Sequence, residues 1–322
     1  MPITISNTNY AGDALMNFLT LATTTFSTME KGLMAVEGGI KKEREIPTLK
    51  VEGFIQAHQE TPTHSGSIDV DARKLTPKDF MGYLEFNPRK FESHWMAVQM
   101  NPKLLDAELP VTAESAIIQK VIEENSAYMD LAVWQGKYDA LAVTDAITNG
   151  LAPGANNLIF MDGFLTKMLA DAAVTKIATP VVLTEANIFD KFAEVKKARR
   201  LALKSNKRGR YLINPNTAEI YENAQQAQGY KGANVTDAGK MTYGGKPVEV
   251  IDGLPDDTIL FTPCGNTIGS NLWLGVNDID EETYLKLMQK QNNSELWFLK
   301  MLFKMDVNYA FGEDAVLYTT FS

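Results

Sequence analysis

PTLKVEGFIQAHQETPTHSGSIDVDARKL, running from Pro47 to Leu75, is the stretch on which the fold turns. Leu49 and Val51 alternate with Lys50 and Glu52, and Ile68, Val70 and Ala72 alternate with Asp69, Asp71 and Arg73. That is the period of two that sends successive side chains to opposite faces of a strand. QETPTHSG between them, rich in Pro, Gly and polar residues, reads as the connecting turn. The result is a ribbon, polar on one face and thinly apolar on the other. A lone two-stranded hairpin is marginal in water, and arms of about ten residues reach roughly 33 Å at the usual strand rise. The ribbon is therefore expected to leave its own globule and to be completed by another copy. Lys50, Glu52, Asp69, Asp71, Arg73 and Lys74 are its candidate contact residues.

On the N-terminal side, the first 40 or so residues mix short apolar stretches with Gly12, Gly32, Gly38 and Gly39. They predict an arm with one short helix near Leu15 to Met34. On the other side, Thr76-Pro77 reads as a capped element start before FMGYLEF, and Asn87-Pro88 as a second Pro-initiated turn. The strongest helix follows Pro110. From Ala113 to Asp139 no Pro occurs and Ile117, Ile118, Val121, Ile122, Tyr128, Met129, Leu131 and Ala132 keep near-helical spacing. About 27 residues at 1.5 Å each make a rod of roughly 40 Å, a spine.

Beyond the loop GLAPGANN from Gly150, a shorter helix is expected at Gly163 to Val174 and another from Thr184 to about Ser205. YLIN, a Pro215-opened helix, KPVEVI and TILFTP form a mixed module from about Val181 to Asn266. Strand-like runs follow at Glu295 to Ala310 and Ala315 to Phe321. Helix and strand are interspersed without a regular βαβ repeat, so the fold class is α+β.

Bulk properties set outer limits. A chain of 322 residues buries a substantial core, and 45% apolar with 22% charged residues is ordinary globular usage. No apolar run approaches the roughly 18 to 20 residues of a membrane span, and Ala14 to Phe26, with no basic residue before Lys31, does not read as a signal peptide. One cysteine, Cys264, rules out an internal disulfide framework and points to a reducing compartment. A net charge of −9 argues against a protein that grips phosphates, though not against one that encloses DNA.

A search for catalytic parts finds no coherent set, and catalytic, cofactor and metal residues are all read as none. GKMTYGGKP (Gly239 to Pro247) has Gly245 where a phosphate loop needs lysine and Pro247 where it needs Ser or Thr. His58, His64 and His94 form no helical metal pair. NDIDEE (Asn277 to Glu282) lacks the glycine and distal glutamate of a calcium loop, and Cys264 has no nearby basic group. One charge run stands out: Lys196, Lys197, Arg199, Arg200, Lys204, Lys207, Arg208 and Arg210, fifteen residues without an acid. It is either a solvated face or a surface that meets acids of adjacent subunits, such as Asp252 to Asp257, or packaged DNA.

Taken in order, these segments resemble the major capsid proteins of tailed phages with the Hong Kong 97-type fold. LTPKDFMGYLEFNPRKFESHW (Leu75 to Trp95) is similar to the return of that family's extended E-loop, and the helix after Pro110 to its spine helix. RGRYLINPNTAEIY and GGKPVEVIDGLPDDTILFTP resemble the axial domain, and NLWLGV and FGEDAVLY the return to the peripheral domain and its final strand. The sequence departs from the founding member in showing no long, charged scaffolding segment ahead of the arm, so either a separate scaffolding protein is expected to guide assembly or a leader has already been removed.

The resemblance implies an N-terminal arm (1–44), an E-loop (45–80), a discontinuous peripheral domain (81–180 and 267–322, spine helix about 113–139) and an axial domain (181–266). It further implies homo-oligomeric hexamers and pentamers in an icosahedral shell around double-stranded DNA, without sequence-specific binding, cofactor or membrane. Expected partners are a scaffolding protein, a portal and a cement or decoration protein, in a virion assembled in the host cytoplasm. Hinges are expected near Gly38, Gly82 and Gly150, and Lys50, Lys74 and Lys78 are the amines open to a covalent cross-link of the kind some relatives make. Rival readings are an encapsulin shell, a tail-tube or portal component, and a small-molecule α+β enzyme.

Overall fold

The computed structural model describes residues 8–10, 26–46, 50–53, 55–58, 60–61, 66–69, 73–87, 111–150, 158–227, 241–267, 269–277, 284–291 and 296–321. In chain order the elements are β1 (Thr8–Tyr10), α1 (Ser27–Glu30), β2 (Ala35–Glu37), β3 (Arg44–Ile46), β4 (Lys50–Glu52), β5 (Ser67–Asp69), β6 (Arg73–Leu75) and β7 (Lys78–Phe86). Helices α2 (Val111–Gln135), α3 (Ala140–Asn149) and α4 (Phe164–Ala170) follow, then β8 (Thr175–Lys176), α5 (Ile188–Ala198), α6 (Leu201–Ser205), β9 (Gly209–Ile213) and α7 (Pro215–Ala227). The chain closes with β10 (Thr242–Tyr243), β11 (Lys246–Val250), β12 (Ile259–Pro263), β13 (Leu272–Asn277), β14 (Tyr284–Gln289), β15 (Trp297–Tyr309) and β16 (Val316–Tyr318).

The first sheet is organised by β15. Its alternation buries Trp297, Leu299, Met301, Phe303, Met305 and Val307 on one face, and that periodicity holds it in register. Strand β7 pairs with it antiparallel from Trp297↔Phe86 to Met305↔Lys78, and Phe80 stacks on Phe303 at 5.3 Å. FMGYLEF, read from sequence only as an apolar stretch after a capped start, is thus a strand. On its other side β15 pairs with β14 and β13, which carry β1 and β2 in turn. Of the expected helix near Leu15 to Met34, residues 15–25 lie outside the described residues, and of the rest only the single turn α1 is helical, the chain turning at 31–34 before β2.

Against this sheet lies α2, whose 25 residues span about 38 Å at 1.5 Å each. It ends at Gln135, short of the expected Asp139, because Gly136 and Gly163 meet there backbone to backbone. The Gly163 N–H donates to the Gly136 carbonyl at 2.8 Å, and a Cβ on Gly136 would stand 2.5 Å from the Met161 carbonyl oxygen. Asp139 instead starts α3 by accepting from the N–H groups of Leu141 (2.9 Å) and Ala142 (3.2 Å). That helix was not anticipated. The expected helix at Gly163 to Val174 is α4, which stops at Ala170.

The second sheet runs β10-β11-β9-β12-β16-β8 and mixes parallel and antiparallel pairs. Its core is aromatic: Phe192 of α5 lies 4.9 to 5.3 Å from the rings of Tyr211, Tyr221 and Tyr243. Burial pushes Tyr211 and Tyr221 up to about 12, so both stay neutral. The helix expected from Thr184 to Ser205 is broken in two. Arg199 leaves helical geometry (ψ 131°) so that its guanidinium can stack over Phe261 at 4.6 Å and Tyr211 at 5.7 Å. The last strand is also placed differently from expectation, since β16 pairs with β12 and β8 in this second sheet. Residues 267–322 therefore serve both sheets.

The sheets are joined around one buried carboxylate. Asp130 of α2, 3% exposed, accepts from Ser27 Oγ (2.6 Å), Thr28 Oγ1 (2.7 Å) and the Gly253 N–H (2.9 Å). Trp134 Nε1 donates to Thr28 Oγ1 at 2.9 Å. Burial pushes the Asp130 carboxyl up, and the three donors offset only part of that.

Candidate inter-subunit surfaces

The ribbon is present in two ladders of the same register. Arg44↔Leu75, Glu45↔Lys74 and Ile46↔Arg73 pair in β3 and β6; Lys50↔Asp69, Val51↔Ile68 and Glu52↔Ser67 pair in β4 and β5. The outer ladder follows from the alternating sequence, whereas β3 lies before Pro47 and was not read as a strand. The root, however, is not left for another copy. Ile46 and Leu75 are 2% and 1% exposed and pack with Ile40, Trp273 and Ala310. Gly275 makes this possible, since a Cβ there would stand 2.9 Å from Ile40 Cδ1 and 3.2 Å from Leu75 Cβ.

A polar latch completes the root. Arg73 donates to Asp171 Oδ2 at 2.5 Å and stacks over Tyr309 at 4.2 Å, while the Tyr309 hydroxyl donates to the same carboxylate at 2.7 Å. Beside it Lys167 pairs with Asp306 at 2.8 Å, and Asp306 accepts from the Thr76 N–H at 2.8 Å. Burial opposes ionisation of Asp171, yet the Ala173 N–H, the Tyr309 hydroxyl and Arg73 outweigh it and hold the carboxyl below its ordinary range.

Two of the six expected ribbon contacts are thus engaged at home: Arg73 in this latch and Lys74 with Glu43 at 3.3 Å. Lys50, Glu52 and Asp69 are described by backbone alone, and Asp71 lies outside the described residues. Past the root the ribbon is exposed, with Ile55 at 89% and Gln56, Ala57 and His58 open to solvent. Sequence reasoning missed Asp171, Lys167, Asp306 and Tyr309. They lie some 100 to 230 positions from their partners and leave no local signal.

The basic run divides in the same manner. Arg199 turns into the core and donates from Nε to the Lys196 carbonyl at 3.2 Å. Arg200 pairs with Glu313 (2.6 Å) and Asp314 (2.5 Å), Arg210 with Glu249, and Lys196 sits over Tyr243 at 5.8 Å. Lys197, Lys204, Lys207 and Arg208 remain exposed. The acids expected to meet the run are also partly occupied. Asp256 accepts from the side-chain amides of Asn214 and Asn216, and Asp257 from the Leu183 N–H at 2.7 Å.

No group of three His, Cys, Asp or Glu side chains suited to a metal occurs among the described residues. The described end of GKMTYGGKP is the β10-β11 hairpin, with Gly244 and Gly245 at φ 55° and 75° in its turn. Cys264 is buried, and burial raises its thiol pKa, so the thiolate nucleophile is suppressed. His58 is exposed; His64, His94 and the acidic part of NDIDEE lie outside the described residues. Gly82, expected as a hinge, sits inside a paired strand against Met301, whereas Gly150 ends α3 at φ 74° with open space around it.

No family model matches the chain, and no curated protein matches it. Solved structures do. The chain superposes on one from the satellite phage P4 procapsid that includes the size determination protein, with TM-score 0.65 and 10% identity, over 97% of this chain and 92% of that one. The capsid of the Myoviridae phage XM1 follows with TM-score 0.54 and 10% identity over 99% and 95%. The holo-SrpI encapsulin complex from Synechococcus elongatus gives TM-score 0.50 and 10% identity over 91% and 87%. The two sheets, the helix α2 and the ribbon therefore share their fold with chains that form capsids and an encapsulin. More narrowly, the fold is the α+β, Hong Kong 97-like fold of phage capsid proteins.

Proposed function

We propose that the chain is the major capsid protein of a tailed bacteriophage, assembling as hexamers and pentamers into an icosahedral shell around double-stranded DNA. The end-to-end match to the P4 procapsid chain carries the reading, because it covers nearly all of both chains. In this reading the first sheet and α2 form the peripheral domain, the second sheet the axial domain, and β3 to β6 the root and stem of the E-loop. Strands β8 and β16 pair within the second sheet, which supports counting them with the axial domain in this reading. A scaffolding protein, a portal and a cement protein are its partners. The particle is a virion assembled in the bacterial cytoplasm.

An acidic wall suits a container that must load and release a polyanion, since enclosure needs no dominant basic footprint. Local closure turns many modest contacts into a cooperative shell. The similarity to the encapsulin complex favours one second reading, a protein compartment with cargo. Electron microscopy of the expressed protein, alone and with its genomic neighbours, tests both. Closed shells that package DNA support the phage reading, shells holding protein without nucleic acid support the compartment, and a protein that never polymerises sinks both. Boiling the particles in detergent tests the cross-link: a single band near 35.7 kDa excludes it.

A further inference from the structure

We propose that the break between α5 and α6 holds one small monoanion, of the chloride or bromide kind, gripped by the Arg199 guanidinium and the Tyr211 hydroxyl inside the second-sheet module. Arg199 is 6% exposed and Tyr211 is fully buried. Their polar ends are left over: Arg199 Nη1 and the Tyr211 hydroxyl are both buried, and neither has a hydrogen-bond partner. Buried polar atoms are almost always satisfied, so such a pair marks a place where an ion or a water belongs.

The two side chains sit in one cluster. Arg199 Cζ lies 5.7 Å from the Tyr211 ring and 4.6 Å from the Phe261 ring, and those two rings are 4.9 Å apart. The Arg199 charge reaches the Tyr211 hydroxyl, where it opposes the upward push of burial. It also reaches Lys246, whose amine is held below its ordinary range by burial first and by Arg199 second. Lys196 stands 5.8 Å from the neighbouring Tyr243 ring and against Gly244, where a Cβ would come within 2.9 Å of its ammonium.

Three cations therefore gather at these rings, and no acid among the described residues answers the innermost. Of the acids on the elements that build the cluster, Glu249 of β11 pairs with Arg210 and Glu194 of α5 with Lys191, while Asp190 is exposed on the first turn of α5. Stacking on Phe261 offsets part of the cost of burying the guanidinium. A buried charge nevertheless ordinarily has a counter-charge. Water would complete the hydrogen bonds and leave the charge unanswered; an anion does both.

Geometry narrows the class of anion. Nε, one prong of the fork that grips carboxylates and phosphates, already donates to the Lys196 carbonyl at 3.2 Å. One buried N–H beside one hydroxyl, among packed rings, suits a spherical ion of single charge. With that ion in place the end of α5 is tied to β9, and the stability of the module depends on halide.

The test is urea unfolding of the full-length chain across a chloride series at constant ionic strength, with gluconate as the replacement anion and the tyrosine near-ultraviolet circular dichroism as the signal. A site that takes one ion in the folded chain and none in the unfolded chain raises the folding constant by about tenfold for each tenfold rise in chloride above the dissociation constant. Bromide should act in the same way. Arg199→Met keeps an apolar stem against Phe261 and should lose the dependence, and Tyr211→Phe should move its onset to higher chloride.

A folding constant indifferent to chloride means that water or nothing fills the site, and the proposal is overturned. A dependence that survives Arg199→Met, or an onset that Tyr211→Phe leaves in place, overturns it as well. Should Arg199→Met fail to fold, Tyr211→Phe decides alone. Because unfolding is read and not assembly, the outcome is independent of the shell reading above.

Discussion

Replacing Asp130 by alanine should unfasten the junction between the two sheets, and replacing it by asparagine should not. The carboxylate accepts from Ser27 Oγ, Thr28 Oγ1 and the Gly253 N–H, and Thr28 is fully buried. Alanine leaves all three donors without their acceptor, at about 1 to 3 kcal/mol for each group that water cannot reach. A loss on the order of 4 kcal/mol follows, before any cavity term. Asparagine keeps the shape. Its carbonyl oxygen can face Ser27 and Gly253 while its amide donates to Thr28 Oγ1, which leaves only the Thr28 hydroxyl proton without an acceptor, so the change should cost about 1 to 2 kcal/mol, well below the alanine loss.

The pH dependence separates the variants further. The folded Asp130 carboxyl is raised above its ordinary value of 3.8, so the native chain binds this proton more readily than the unfolded chain. The residue's contribution to stability is then greatest at low pH and falls as pH rises from that ordinary value through the raised folded value. Asparagine should abolish this component. Urea unfolding at several pH values is the assay, with a midpoint lower by about 1 M or more for alanine at neutral pH. Equal midpoints for the alanine and asparagine variants would mean that the carboxylate does not hold the junction, and the reasoning fails.

Gly136→Ala forces a Cβ to within 2.5 Å of the Met161 carbonyl oxygen and should cost about 3 kcal/mol or more, whereas Gly150→Ala, in open space at φ 74°, should cost about 1 kcal/mol; calorimetry of both variants checks the contrast. Arg73→Met and Asp171→Asn should be non-additive, with a coupling of about 1 to 3 kcal/mol in a double-mutant cycle. Because the folded Asp171 carboxyl is depressed, its stabilisation is complete above the ordinary carboxyl range and is lost as pH falls through the lower folded value, so Asp171→Asn should flatten the acid limb of the unfolding profile. Asp139→Ala removes the cap of α3 and should cost about 1 kcal/mol, read as faster amide exchange over residues 141–149.

Whatever is encoded by local periodicity was legible in the sequence. The ribbon, β15 and α7 each carry their own pattern, and Pro215 opens α7 where its missing N–H does no harm. What escaped depends on partners far along the chain. Nothing near Arg199 says that Phe261 will draw it out of the helix, and nothing near Arg73 points to Asp171. β16 reads as a strand in isolation, but its sheet is chosen by β12 and β8, which only the folded chain brings alongside. α3 is the exception. Asp139 before Ala-Leu-Ala-Val was a visible cap, lost because the preceding helix was run past Gly136.

The anchored root changes where a shell built from this chain could bend. Hexamers and pentamers of one sequence demand local deformation, and packed interfaces yield in discrete steps more than they stretch. The ribbon root is fixed by Ile46, Leu75 and the Arg73–Asp171 pair, Gly82 is locked in the β7-β15 ladder, and the two sheets are tied at Asp130. In the proposed shell, flexion would then fall at glycines in left-handed geometry other than these contacts, namely Gly39 between β2 and β3, the facing pair Gly53 and Gly66 of the ribbon, and Gly150 after α3. Bending at Gly53 and Gly66 moves only the outer ribbon. That portion carries Ile55 at 89% exposure and makes no use of the latch, so it can follow a neighbour's surface while the body behind it stays unchanged.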